Sequence, residues 1–140
     1  MGKINLQKVV VGGLVAGVVL NVFDFLVYGV WLKNDMNAAM AALNKPAITS
    51  NMVLWFVFLD FLYGIWLVWL YAAIRPRFGA GPKTAVTAGV AMWVLFGLLN
   101  TLAQAPMGLF PQRLMVIPVV VTLITWPIAA AAGAKFYTEM

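Results

Sequence analysis

The 140-residue chain contains no cysteine and no histidine. The first absence removes disulfides, thiolate nucleophiles and iron–sulfur ligation. The second removes the imidazole base of Ser-His and Cys-His pairs, the usual zinc ligand and the common axial ligand of haem. Charge is scarce as well: four acids and nine Lys plus Arg, 9% of the residues. A soluble domain carries roughly 25%, so this chain lacks the polar surface to cover a water-soluble fold. The net charge of +5 does not point to nucleic acid, because the basic residues stand between apolar runs rather than in one patch. No cofactor, no metal centre, no catalytic residue and no nucleic-acid partner is expected.

What is abundant is apolar: 64% of the residues are hydrophobic and 14% aromatic. A helix that crosses a bilayer needs about 20 mainly apolar residues. Four segments meet that requirement, at about Val9–Leu32, Met52–Ile74, Thr84–Gln104 and Leu114–Phe136. They predict an all-α polytopic membrane protein, a four-transmembrane-helix bundle forming one domain over residues 1–140, with the lipid bilayer as its first partner. The start, Met1-Gly2-Lys3, is similar to a signal-peptide n-region, but the apolar run behind it is too long and offers no clear cleavage site. Helix 1 is therefore expected to be retained.

The first connection, Lys33–Asn51, is the longest. In it Met36, Met40 and Leu43 recur at helical spacing, which predicts a short interfacial helix between helices 1 and 2, ended at Asn44-Lys45-Pro46. The second connection, Arg75–Lys83, reads as a basic Pro/Gly turn, and the third, Ala105–Arg113, as a tight turn with two prolines. The side that holds both termini carries Lys3, Lys8, Arg75, Arg77, Lys83 and Lys135; the other carries Lys33, Lys45 and Arg113. The positive-inside rule then puts both termini in the cytoplasm, in the cell inner (plasma) membrane.

The polar residues inside the spans need a reason, because an acid in hydrocarbon is expensive. Asp24 opens the stretch Asp24-Phe25-Leu26-Val27-Tyr28-Gly29-Val30-Trp31-Leu32, and Asp60 opens an echo, Asp60-Phe61-Leu62-Tyr63-Gly64-Ile65-Trp66-Leu67. The first copy has one extra residue, Val27. At about 1.5 Å of rise per residue, both acids lie roughly 11–12 Å from the outer helix ends, at matching depth. Gly13, Gly17, Asn21, Asp24 and Tyr28 share one stripe of helix 1; Asp60 and Gly64 align in helix 2. Gly89, Trp93, Gly97, Asn100 and Gln104 align in helix 3, and Pro118, Thr122, Thr125, Ala129 and Ala132 in helix 4. The stripes can converge on an oxygen-rich interior opening under the Met36–Leu43 segment. Asp24, Asp60, Asn21, Asn100, Thr122, Thr125, Tyr28 and Tyr63 form the expected ligand or ion site.

Two close carboxylates with no basic partner inside the membrane cannot both carry charge cheaply. The pair therefore serves either as a hydrogen-bonded clamp or as a site for a small cation or hydrophobic amine, exchanged for a proton. Trp31, Trp55, Trp66 and Tyr63 can offer ring faces to an organic cation, or form an interfacial belt. The alternative function is a non-enzymatic accessory subunit of a larger membrane complex or a homo-oligomer, docked through the Gly13/Gly17 or Ala129–Gly133 faces.

Phe23-Asp24 is similar to the aromatic-Asp element of intramembrane aspartyl proteases, but the Gly-x-Gly-Asp partner is replaced by Val57-Phe58-Leu59-Asp60. The plan of four short helices, an acid in helix 1 and many Trp and Tyr residues resembles the small multidrug-resistance transporters, which implies transport by a dimer. The departures are an Asp in place of Glu, a second acid in helix 2 and a long first connection. In style the chain also resembles small four-helix bacterial membrane proteins of unknown function.

Overall fold

Asn5 starts the first helix: its side chain accepts the Lys8 N–H at 3.2 Å, which satisfies one of the free donors of the first turn. The computed structural model describes residues 2–140. Four of its helices are long and apolar enough to cross a membrane: α1 (Leu6–Trp31), α3 (Ser50–Phe78), α4 (Pro82–Met107) and α5 (Gln112–Ala134). A short helix, α2 (Lys33–Ala42), joins α1 to α3. No strand occurs among the described residues.

Small residues let the helices meet backbone to backbone. Gly64 of α3 sits against α1 so closely that a Cβ there would strike the Gly13 carbonyl and lie 2.6 Å from the Gly17 nitrogen. On the next face of α1, a Cβ on Gly12 would lie 2.5 Å from the Gly133 carbonyl of α5. Gly89 of α4 packs on Pro127 of α5 in the same manner. Ala16, Ala85, Ala88, Ala129 and Ala130 are fully buried along these seams. Close approach of this kind supplies the van der Waals contact that holds helices together where no hydrophobic effect separates them from lipid. The Gly13/Gly17 and Ala129–Gly133 faces are thus filled from within by α3 and α1. That corrects the expectation that they dock an outside partner.

The end that carries both chain termini, the terminal end, is closed by a polar cap. Arg75 lies over the rings of Tyr71 and Tyr137, 5.7 and 5.2 Å from their centroids, and pairs with Glu139 at 3.5 Å. Tyr137 donates its hydroxyl to Glu139 and accepts the Asn5 N–H, each at 3.2 Å. Helix α3 runs past Pro76 to Phe78, so the expected Arg75–Lys83 turn shrinks to residues 79–81. Gly79 and Gly81 take positive φ there, 89° and 123°, which L side chains rarely adopt. The Tyr71 hydroxyl accepts the Gly81 N–H at 3.0 Å, and Thr84 donates to the Phe78 carbonyl at 3.2 Å.

The opposite, far end is looser. The backbone of α1 widens from α-helical to π-helical over Phe25–Trp31, and that of α4 does so over Trp93–Leu99. Helix α2 folds back there: Leu32 and Ala39 pack with Val27 of α1 and Leu114 of α5, and Asp35 pairs with Arg113 at 3.0 Å.

Candidate functional site

Between the far halves of α1, α3, α4 and α5 lies a cavity of about 310 Å³. Asp24 and Tyr28 reach it from α1, Asp60 and Tyr63 from α3, and Met36 from α2. Asn100, Thr101 and Gln104 line it from α4, and Thr122 and Trp126 from α5.

The carboxyl groups of Asp24 and Asp60 lie close enough for one to hydrogen-bond the other. Such a bond requires a proton on one of them. The matching depths expected from the sequence are corrected by the packing register. Gly17 lies against Phe61 and Gly13 against Ile65, which sets Asp60 level with residue 18 of α1. Asp24 is roughly six residues farther on, about 9 Å of rise. The gap closes because the Cα–Cβ bonds of a helix tilt toward its N-terminus. In two antiparallel helices, these acids therefore lean toward each other.

Asp60 is only 9% exposed. No basic side chain and no N–H donor reaches either carboxyl among the described residues. The pair is therefore partnered by itself alone. Tyr28 stands one turn beyond Asp24 toward the far end, and Tyr63 one turn beyond Asp60 toward the terminal end. Thr122 donates its hydroxyl to the Pro118 carbonyl at 2.7 Å, which leaves its oxygen free to accept. Trp93 donates to the Val119 carbonyl at 2.8 Å and lays its ring against Gly97, fixing the π-helical stretch of α4 to α5.

Six of the eight residues expected at the site line the cavity: Asp24, Asp60, Tyr28, Tyr63, Asn100 and Thr122. Asn21 does not; its amide donates to the Val57 carbonyl at 3.4 Å and ties α1 to α3. Thr125 does not either; it is 3% exposed and lies outside the cavity wall. Trp31, Trp55 and Trp66 are 54%, 60% and 60% exposed and lie outside the cavity, so of the two uses expected for them the ring faces for a cation are set aside and the belt stays open.

Of the rings that line it, Phe96 and Trp126 cluster with Tyr63, with centroids 5.8 and 5.6 Å from Tyr63 and 6.5 Å from each other; Tyr28 and Phe110 line it as well. This cluster of one ring from each of three helices was missed in the sequence, where only the Tyr63–Gly64 echo hinted at it. No group of three or more metal-ligating side chains occurs among the described residues.

Comparison with protein-family models, with curated proteins and with solved structures finds no match to this chain.

Proposed function

We propose that the chain is a multi-pass protein of the cell inner (plasma) membrane, both termini cytoplasmic, that binds a small cation or hydrophobic amine and moves it in exchange for a proton. The observation that carries this reading is the Asp24–Asp60 contact on the wall of a cavity with no basic partner. An incoming cation offers the pair the positive charge that the protein withholds, and the shared proton leaves in return. Acids inside membrane spans commonly mark such proton and ion paths. Six Lys and Arg at the terminal end against three at the far end favour the stated orientation. On this reading α2 lies in the outer interface, with Met36 over the cavity mouth.

The test is cation-driven proton flux in liposomes that contain the purified protein. Asp24→Asn and Asp60→Asn should each abolish it while leaving the helical content intact. Flux or binding that does not change between about pH 5 and pH 9 contradicts a titrating pair. A second reading, an accessory subunit, is favoured by the far end of α3, where Val53, Leu54, Trp55, Phe56 and Phe58 are all exposed around the helix. Under that reading both Asn variants keep full function, because Asn still hydrogen-bonds.

A further inference from the structure

The cavity wall is mixed. It carries the two carboxyl groups, the polar side chains of Asn100, Thr101, Gln104 and Thr122, and a cluster of three rings, Tyr63, Phe96 and Trp126, one from each of three helices. Its volume of about 310 Å³ is roughly ten times the ~30 Å³ share of a water molecule. A bare monovalent ion leaves most of such a space unfilled and makes no use of the ring cluster. An organic cation can meet the carboxyl groups with its charge and the rings with its body. Aromatic faces attract a cation directly, and more so when water is excluded.

The carboxyl pair narrows the class further. Its oxygens are acceptors that can bond each other only through one shared proton, and Asp60, nine-tenths buried, has no donor other than Asp24. A group that replaces that proton must itself donate twice, once to each acid. We infer that the site selects a primary or secondary organic ammonium ion with an aromatic or cycloalkyl body: one N–H to Asp24, another to Asp60, and the body against Tyr63, Phe96 and Trp126. This rests on the reading of the cavity as a cation site.

The exchange balances. The pair with its shared proton carries −1 and the ammonium ion +1; afterwards two carboxylates hold the ammonium ion and one proton has left to water. A quaternary ammonium ion has no N–H, so it cannot bridge the two acids, although it is attracted to the rings. The titratable groups on the wall are Asp24 and Tyr28 from α1 and Asp60 and Tyr63 from α3; α2, α4 and α5 contribute none. The displaced proton therefore comes from the carboxyl pair, carboxyl groups being far stronger acids than phenols.

The experiment compares two ligands of one shape on the full chain in nanodiscs, benzylammonium and benzyltrimethylammonium, by calorimetry in two buffers of different ionisation enthalpy. Benzylammonium should bind at least about tenfold tighter, since charge-assisted N–H bonds are the stronger kind. It should also release close to one proton per site near neutral pH. Asp60→Asn should remove both the preference and the proton release, and Phe96→Ala should weaken both ligands alike. Equal or tighter binding of the trimethyl compound overturns the inference and leaves a cation site standing. So does competition by sodium ion at the same concentration as benzylammonium. Failure of every cation to bind overturns the inference together with the cation-site reading.

Discussion

At the terminal end the helices touch backbone to backbone, with glycine facing glycine and alanine filling what remains. At the far end the same helices stand apart around a cavity, and two of them widen into π-helical turns as they pass it. The two copies of the Asp-Phe-Leu stretch straddle this divide. In both, the Asp and the Tyr line the cavity, the Trp is exposed and the final Leu, Leu32 or Leu67, is fully buried. The glycines part company. Gly64 is pressed into α1, whereas Gly29 is exposed with only the Phe25 side chain near it. One end is built for contact and the other to keep a space, and a stretch of similar sequence serves both.

The extra residue of the first copy, Val27, falls inside the π-helical turn of α1. There the Leu32 N–H reaches the Val27 carbonyl, five residues back, at 2.6 Å. A π-helical turn absorbs one more residue than an α-helical turn, and such turns are frequent at functional sites. The insertion therefore leaves Tyr28 facing the cavity with Asp24, as Tyr63 does with Asp60.

The largest effect is expected where the contrast between the copies is sharpest. Gly64→Val should prevent folding or cost at least about 3 kcal/mol, because the new carbons meet backbone that cannot turn aside. Gly29→Ala, at the matching place in the other copy, should change stability by less than about 1 kcal/mol. Thermal unfolding in detergent distinguishes the two, and equal effects would erase the proposed difference between the ends.

Next comes the cap. Arg75→Ala leaves Glu139 unpaired and two ring faces bare, and should cost about 2 kcal/mol, less than a fully buried pair because both side chains keep some water contact. Cation binding at the far end should be unchanged.

A smaller effect belongs to the Asp35–Arg113 pair, whose side chains are 38% and 54% exposed. Arg113→Ala should shift stability by under about 1 kcal/mol. If α2 covers the cavity mouth, it should speed ligand exchange instead.

The smallest effect is alkaline. Burial pushes the Tyr137 hydroxyl above its ordinary value of 10.0; the Asn5 N–H opposes this, Glu139 adds to it and Arg75 opposes it. The folded phenol thus holds its proton more tightly than the unfolded one. Its contribution to stability is complete below about pH 10 and declines as pH rises through the folded value. Tyr137→Phe should flatten that part of the stability profile, read by thermal unfolding at stepped pH.

The four long helices were legible because each is a predominantly apolar run of spanning length, a signal that needs no tertiary information. Their ends were less so. Pro76 and the Arg residues beside it read as a turn, yet α3 continues to Phe78, since a proline within the last turns removes one hydrogen bond without ending the helix. The π-helical turns left no mark beyond the uncounted meaning of Val27. Asp24 and Asp60 stood out because acids in apolar runs are rare. Asn21 and Thr125 shared their stripes but not their surroundings. A stripe covers a wide arc, and the small-residue seam occupies part of it. Phe96 and Trp126 were hidden for the opposite reason: an aromatic residue in an aromatic-rich chain carries no signal until helix rotation brings three of them together.

The measurement that bears most directly on the central claim is water access to the cavity from the far side, and the cysteine-free chain makes it simple. Single cysteines at Asn100, on the cavity wall, and at Leu102, 57% exposed and off that wall, leave both acids intact. Each is treated in intact cells with a membrane-impermeant thiol reagent. Rapid labelling at position 100, slowed at least about tenfold by benzylammonium, with none at position 102, is the result expected of an open cation site. No labelling at position 100, or labelling that no cation slows, would mean that the two carboxyls only clamp α1 to α3.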